Sequence, residues 1–301
     1  MIKYTLFELH FVYFGFEIRP DRHRKMESIA QYFDTIPSSH RSYILFGGLA
    51  FFLFLENVFP LVNLSYKKGN HLLKNIFFTL TTALVNLGMA FILLASSHWA
   101  IQNHFGILEW FSIDSLWLQA LIGLLVLDLI GAYFIHWIQH KVKWMWKFHI
   151  IHHSDQYVDA STANRHHPGE SVFRFVFTCL AVLVCGAPLW LILMYQSLSA
   201  IFSQFNHANL NVPKGLSKIL GWVFVTPEIH RSHHHYVLPY TNSNYGNLFS
   251  IWDRLFGTYI PMKSTDIVFG VDTHMDPKEN DRIGNLLKIP FEPYRPPSTK
   301  G

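Results

Sequence analysis

Twelve of the nineteen histidines fall between His136 and His235. Most lie in three tight sets: His136-Trp137-Ile138-Gln139-His140, His149-Ile150-Ile151-His152-His153 and His230-Arg231-Ser232-His233-His234. On a helix, residues three and four apart share a face, so each set can aim two or three imidazoles at one place. Imidazole is the commonest side-chain metal ligand. Three such sets supply too many nitrogens for one tetrahedral zinc, so the pattern points to two metal ions. A single set reads equally well as a polar surface cluster. The repeat of His-x-x-His-His, together with the His136/His140 pair, argues against that.

Other residues join by position. His207, in Phe205-Asn206-His207-Ala208, follows an apolar stretch and becomes a ligand if that stretch folds back. Asp128 precedes His136 by eight residues, about 80° around an ideal helix. A carboxylate in an apolar run is costly, and it has two readings: a hydrogen bond to a neighbouring helix, or one that orients a ligand histidine. Of His166 and His167, His167 is the better candidate for supporting a ligand or lining a cavity. His235 is extra to the pattern and is expected to face solvent. His10, His23, His40, His71, His98, His104 and His274 are scattered and read as background.

The elements that position these residues are set by hydropathy. Charged residues make up 15% of the chain, well below the roughly 25% of soluble domains, and half the residues are hydrophobic. The expected fold is an all-α polytopic membrane bundle with a histidine-rich cap on its cytoplasmic side. Under this reading the net charge of +4 reflects topology, and no nucleic-acid partner is expected. Cys179 and Cys185 sit in an apolar run as buried thiols. The first 20 residues carry Glu8 and Glu17 and no clear cleavage site, so a removable signal peptide is not expected.

Apolar runs lie at about 43–63, 75–97, 116–138 and 171–205. Lys67, Lys68 and Lys74 precede the second run, and 98–115 contains no Lys or Arg, which places 64–74 in the cytoplasm. Asn86 and Gly88 are expected to pack or hydrogen-bond within the bundle. The third run then delivers His136 and His140 to the cytoplasmic side. The fourth is interrupted by Gly186-Ala187-Pro188, and proline disfavours one continuous helix. A hairpin of two spans returns His207 to the side of the other sets, whereas a straight span would strand the third set opposite the first two. The first run carries Glu56, read as interfacial or paired within the bundle. If that run crosses, Arg19, Arg22, Arg24 and Lys25 lie outside, against the charge rule. A re-entrant run would remove the conflict.

No Glu-x-x-His occurs near these sets, which excludes the carboxylate-bridged di-iron bundles, and His-Glu-x-x-His of zinc proteases is absent. No phosphate loop, dinucleotide fingerprint or Gly-x-Ser-x-Gly is present. A metal transporter, the reading from another class, would place its ligands near the bilayer midplane rather than at one face.

The three sets at the edge of apolar spans resemble those of the fatty acid hydroxylase and sterol desaturase superfamily. So do WKFHIIHHSDQYVDASTANRHHPGE, TPEIHRSHHH and NSNYGNLFSIWDRLFGTY, and the resemblance covers about 116–260. It implies a membrane-bound non-haem oxygenase with two iron ions and O2 as co-substrate. It implies ligand roles for His136, His140, His149, His152, His153, His207, His230, His233 and His234. Asp128 matches an acidic position ahead of the first set, and His167 matches the histidine of a His-Pro pair. His166 departs from the pattern, since members often have an aromatic residue there. The implied reaction is hydroxylation of a lipid C–H bond (fatty acyl, sterol or ether lipid), with desaturation on the same centre as the alternative. The implied partners are a lipid from the bilayer and a separate electron donor: a reductase, ferredoxin or cytochrome. The expected organisation is an interfacial segment at 1–42, spans at 43–115, a catalytic domain at 116–260 and a cytoplasmic tail at 261–301.

Overall fold

The computed structural model describes residues 21–298. The signal-peptide expectation and His10 therefore fall outside the described residues. Among those residues the chain is helical, with no strand and three isolated β-bridges. Eight helices position the site: α1 (Asp21–Asp34), α2 (Ser38–Val58), α3 (Lys68–Gln102), α4 (Leu116–Lys141), α5 (Lys143–His153), α6 (Pro168–Cys185), α7 (Leu189–His207) and α8 (Pro227–His233).

Four helical stretches are long and apolar enough to cross a membrane: Ser38–Val58, Lys68–Trp110, Leu116–Lys141 and Pro168–Cys185. Their outer faces carry large exposed apolar side chains, such as Leu84, Leu87 and Phe91 on α3. At 1.5 Å per residue α3 is about 52 Å long, well beyond a hydrocarbon layer of roughly 30 Å. α3 is thus longer than such a layer is thick. Asn86 and Gly88 are exposed on α3, and no atom comes near the position of a Gly88 Cβ. This departs from the expectation that they pack or hydrogen-bond: among the described residues no helix covers their face of α3.

The fourth apolar run is broken as its sequence requires. Gly186 ends α6 in the left-handed region (φ +70°), a conformation open to glycine, and Pro188 caps α7. The chain then turns back, and His207 reaches the other histidines. The returning arm carries Gln196, Ser197, Gln204 and Asn206 and is not among the four span-length apolar helices, so only one arm of the expected pair qualifies. α4 is the hub of the bundle. Leu127 on α4, Ala181 and Val182 on α6, and Leu191 and Ile192 on α7 share one core. A Cβ at Gly123 would sit 2.2 Å from Leu191, so the close α4–α7 approach depends on that glycine.

The first apolar run is helical over Ser38–Val58 and stops short of residue 63. Glu56 is buried at its end and accepts hydrogen bonds from the Ala160 and Asn209 amides, at 3.1 and 3.0 Å. It ties the helix to the two loops that flank α5 and α7. Residues 261–298 do not trail away. Val271, Leu286 and Ile289 are buried against Ile150 and Ile151 of α5 and Phe78 of α3. Full burial of each such side chain contributes about 1.5–3 kcal/mol, so this segment clamps α5 in place.

Candidate metal centre

The nine histidines expected as ligands gather into two buried groups. His136, His140, His149, His153 and His233 form one; His152, His207, His230 and His234 form the other. Within each group the ring nitrogens lie within 4.8 Å of one another. Local geometry divides the sets. On α5, His149 and His153 are one turn apart and face the five-histidine cluster, while His152 is rotated toward the four-histidine cluster. Around α8 the division is mirrored: His230 and His234 go to the four-histidine cluster and His233 to the five. The His136/His140 pair of α4 completes one group, and His207 of α7 completes the other.

The rings are held from behind. His136 Nδ1 donates to the Tyr245 carbonyl at 2.8 Å, and His233 Nδ1 to the Ser243 carbonyl at 2.5 Å. His149 Nδ1 lies 2.8 Å from Glu170 Oε1, and His140 Nδ1 lies 3.3 Å from Asn242 Oδ1. In the four-histidine cluster, His207 Nδ1 donates to the Ser203 carbonyl at 2.7 Å. Carbonyls only accept, so in these rings Nδ1 carries the proton and Nε2 presents a lone pair. Burial among like rings pushes His152, His153, His230, His233 and His234 well below the ordinary histidine range, so they stay neutral.

This arrangement tests whether metal fits. His136 Nε2 and His233 Nε2 face each other at 3.0 Å, both bare and both buried. His207 Nε2 lies 3.1 Å from both His152 Nε2 and His230 Nε2. The opposed lone pairs of His136 and His233 repel at this distance, and a cation between them removes the repulsion. The donors are all imidazole nitrogens, which suits iron, zinc, copper or nickel. The residues fit two metal ions.

Three expectations about supporting residues need correction. Asp128 does not reach a histidine. Its carboxylate accepts from the Leu248 and Phe249 amides, Trp252 Nε1 and the Tyr195 hydroxyl, and no bond from it to an imidazole is found among the described residues. The cause is axial distance: eight residues at 1.5 Å each put Asp128 about 12 Å from His136 along α4, with the π-helical segment Leu129–Phe134 between them. His167 does not support a ligand either. It caps α6, with Nδ1 accepting from the Gly169 amide at 2.9 Å, and packs on Phe148. Its neighbour His166 lies at the site instead, stacked on His152 with centroids 4.5 Å apart and with Nδ1 3.0 Å from Glu170 Oε1. Finally, His235 is buried rather than solvent-facing, and its Nδ1 accepts from the Val268 amide.

Two parts of the site were invisible to the spacing argument. Glu170 is fully buried and touches both His149 and His166. Its signal was faint: one acid at the start of an apolar helix, three residues after a histidine pair. The second part is the 242–253 segment. It supplies the Asn242 side chain and the Ser243 and Tyr245 carbonyls behind three ligands, and it is pinned by Asp128 and by Asp253, which accepts from the Tyr245 and Gly246 amides. His71, read as background, bridges Asp155 and Asp159 at 2.8 and 3.1 Å. Arg165 joins that network and donates to the Ile151 carbonyl, which fixes the end of α5 where His152 and His153 sit. His274 is also buried.

One ligand borders a cavity. A pocket of about 150 Å³ is lined by His140, Lys141, Lys143, Trp146 and Asn242. The four histidines of the other cluster are each 4% exposed or less.

Residues 120–258 match the family model for fatty acid hydroxylase. This part of the chain is similar to the fatty acid hydroxylase family. Among curated proteins, an ornithine lipid hydroxylase of Rhizobium tropici is 32% identical over 141 residues, 47% of this chain and 41% of that protein. An alkylglycerol monooxygenase of Caenorhabditis elegans is 32% identical over 160 residues, covering 53% of this chain and 30% of that one. A cholesterol 25-hydroxylase-like protein of Danio rerio is 30% identical over 140 residues, 46% of this chain and 49% of that protein. The chain thus spans less than half the length of each of these relatives. No solved structure matches it at a significant level. The family match contains all nine clustered histidines together with Asp128, Glu170 and the 242–253 segment.

Proposed function

We propose that this chain is a membrane-bound oxygenase that hydroxylates a C–H bond of a lipid, using two iron ions and O2. The observation that carries the proposal is the convergence of nine neutral imidazoles into two adjoining buried clusters, with Nε2 pairs facing at 3.0–3.2 Å. The family match and the names of the relatives, all hydroxylases or monooxygenases, support the reaction class and favour hydroxylation over desaturation. The span-length helices support a membrane setting, and the basic loops beside the histidines support a cytoplasmic site.

In this reading 116–260 is the catalytic domain, and the chain's residues divide the work. The nine histidines hold the iron, and bound iron supplies the redox chemistry that activates O2. The Tyr245 and Ser243 carbonyls keep His136 and His233 in the tautomer that presents Nε2 inward. Glu170 does the same for His149, and its negative charge makes that ring a stronger donor. The apolar wall of α4, α6 and α7 keeps water from the oxidising centre and admits the lipid tail. Electrons come from a separate donor protein, a reductase, ferredoxin or cytochrome.

The test is metal analysis combined with lipidomics. Full-length protein purified from membranes should carry two irons per chain, and a strain expressing it should contain a lipid one oxygen heavier than its precursor. The His152→Ala strain should lack that lipid. Zinc alone, with no O2 consumed in the presence of a reducing system, would overturn the proposal.

A further inference from the structure

The side chains beneath the five-histidine cluster include polar groups that metal binding does not use. Gln139 lies on α4 between His136 and His140 and is completely buried. Its Oε1 faces Arg174 Nη1 at 3.5 Å, and its Nε2 has no hydrogen-bond partner. Reversing the amide would turn its N–H groups on the guanidinium, so the orientation is set and the orphan is a donor. A buried donor without an acceptor is costly and calls for an explanation.

Arg174 lies in the second turn of α6, inside an 18-residue helix apolar enough to span a membrane. A cation in such a segment is expensive and marks a functional position by default. Its bland role would be to neutralise Glu170. A dedicated Arg–carboxylate pair makes two parallel bonds of roughly 2.7–2.9 Å. Here the nearest approach is 3.8 Å, because Glu170 Oε1 is already taken by His149 and approached by His166. The second oxygen, Oε2, is buried with no hydrogen-bond partner. The Arg174 side chain is 30% exposed, so it reaches the outer surface of the apolar helix. An under-used guanidinium and an unused amide donor therefore stand side by side, one residue from a ligand of the cluster, with the guanidinium partly exposed on α6.

We infer that Gln139 and Arg174 form a polar seat, inside the apolar layer, for a carbonyl or carboxylate oxygen of the bound lipid. This rests on the oxygenase reading for its purpose: the seat fixes which carbon along the tail lies at the metal centre. The substrate class it selects is a lipid with an acyl oxygen close to the carbon that reacts, rather than a plain hydrocarbon tail.

The test is binding, which needs neither O2 nor iron. Full-length zinc-loaded protein in maltoside micelles, which contain no carbonyl, is titrated with tritiated palmitate, methyl palmitate and hexadecanamide, with hexadecane as the oxygen-free control. The three oxygenated probes should bind about tenfold or more tighter than hexadecane. Gln139→Met and Arg174→Gln should each remove that margin, leaving hexadecane binding and two metals per chain unchanged. Loss in Arg174→Gln of palmitate binding alone would assign the guanidinium to a carboxylate, and equal loss for all three would assign it to carbonyls. If Arg174→Gln loses metal, Gln139→Met alone decides the matter. Oxygenated probes that bind no tighter than hexadecane, or that are indifferent to both substitutions, would overturn the seat and assign the orphan donor to water. A protein that binds the oxygenated probes tightly yet never oxygenates a lipid would overturn the oxygenase reading and leave the seat standing.

Discussion

The two histidine clusters are built from the same side chain at the same helical spacings, and they differ in what stands behind the rings. In the five-histidine cluster, four rings are held at Nδ1: His136 and His233 by carbonyls, His140 by Asn242 and His149 by Glu170. Only His153 lacks such a partner. In the four-histidine cluster, His207 is held by the Ser203 carbonyl, but His152 Nδ1 and both nitrogens of His234 have no partner. The first cluster is also the one that borders a cavity, through His140. One site is therefore braced and reachable, the other looser and enclosed. Bracing acts on equilibrium affinity, because rings already oriented lose less freedom on binding. Enclosure acts on the rate of exchange. The braced site should therefore be both the tighter at equilibrium and the faster to exchange.

The largest effects should come from the ligands themselves. His233→Ala should remove metal from the braced site and His234→Ala from the looser one. Each should lower activity more than about a hundredfold, since even outer partners of metal ligands are worth 10–100-fold. Metal analysis of both variants should find one ion per chain; loss of both ions from either would show that the clusters are a single unit. Glu170→Gln keeps the shape and removes the charge behind His149, and should weaken the braced site by about 10–100-fold with the other unchanged. Equal weakening of both sites in a competitive chelator titration would break the contrast.

Chelator kinetics give an intermediate effect. A small chelator should strip the braced site first, because His140 lines the open cavity, even though that site binds more tightly at equilibrium. Simultaneous release would mean that both sites open through the same motion.

Acid provides a further measurement. Burial depresses His152, His153, His230, His233 and His234 below the ordinary value of 6.5. A depressed histidine contributes stability above its unfolded value and loses it below, because the unfolded chain then binds more protons. The metal-free protein should therefore lose stability as pH falls below 6.5, and the metal-loaded protein should hold to lower pH. Thermal unfolding of both forms across this range checks the sign; equal acid sensitivity would contradict metal binding by these rings.

The smallest effects should lie behind the site. Asp128→Asn weakens the hold on the 248–252 segment and should cost about 1–3 kcal/mol of stability, disturbing the braced site through Tyr245 while sparing the other. His167→Ala removes a helix cap and should cost about 1 kcal/mol with metal content unchanged. Denaturation and metal analysis of the same preparations separate the two outcomes.

Much of this site was legible in the residues. The histidine spacing is local, and 3.6-residue periodicity sets which rings share a helix face. The Gly186-Ala187-Pro188 break is local as well, and with it the return of His207. The apolar runs followed from side-chain hydropathy, although their ends shifted by several residues where helices continued through polar positions. What failed depended on register or on contacts between distant segments. Asp128 was assigned to His136 from a shared helix face, but two helical turns separate them, and its carboxylate meets the 248–252 segment instead. His166 and His167 are adjacent, so only the direction of α6 could decide which one faces Glu170.

By itself, then, the sequence determined that nine imidazoles would be carried on helix ends at one edge of an apolar bundle, because those properties belong to neighbouring residues. Only the tertiary structure decided which part of each His-x-x-His-His set goes to which cluster. It also determined which carbonyls fix the tautomers and which acid stands behind His149. Those outcomes rest on hydrogen bonds between groups as many as 109 positions apart in the chain, as with His136 and Tyr245. No local spacing encodes them, since they form only when the packing of α4, α5 and α8 brings the partners together.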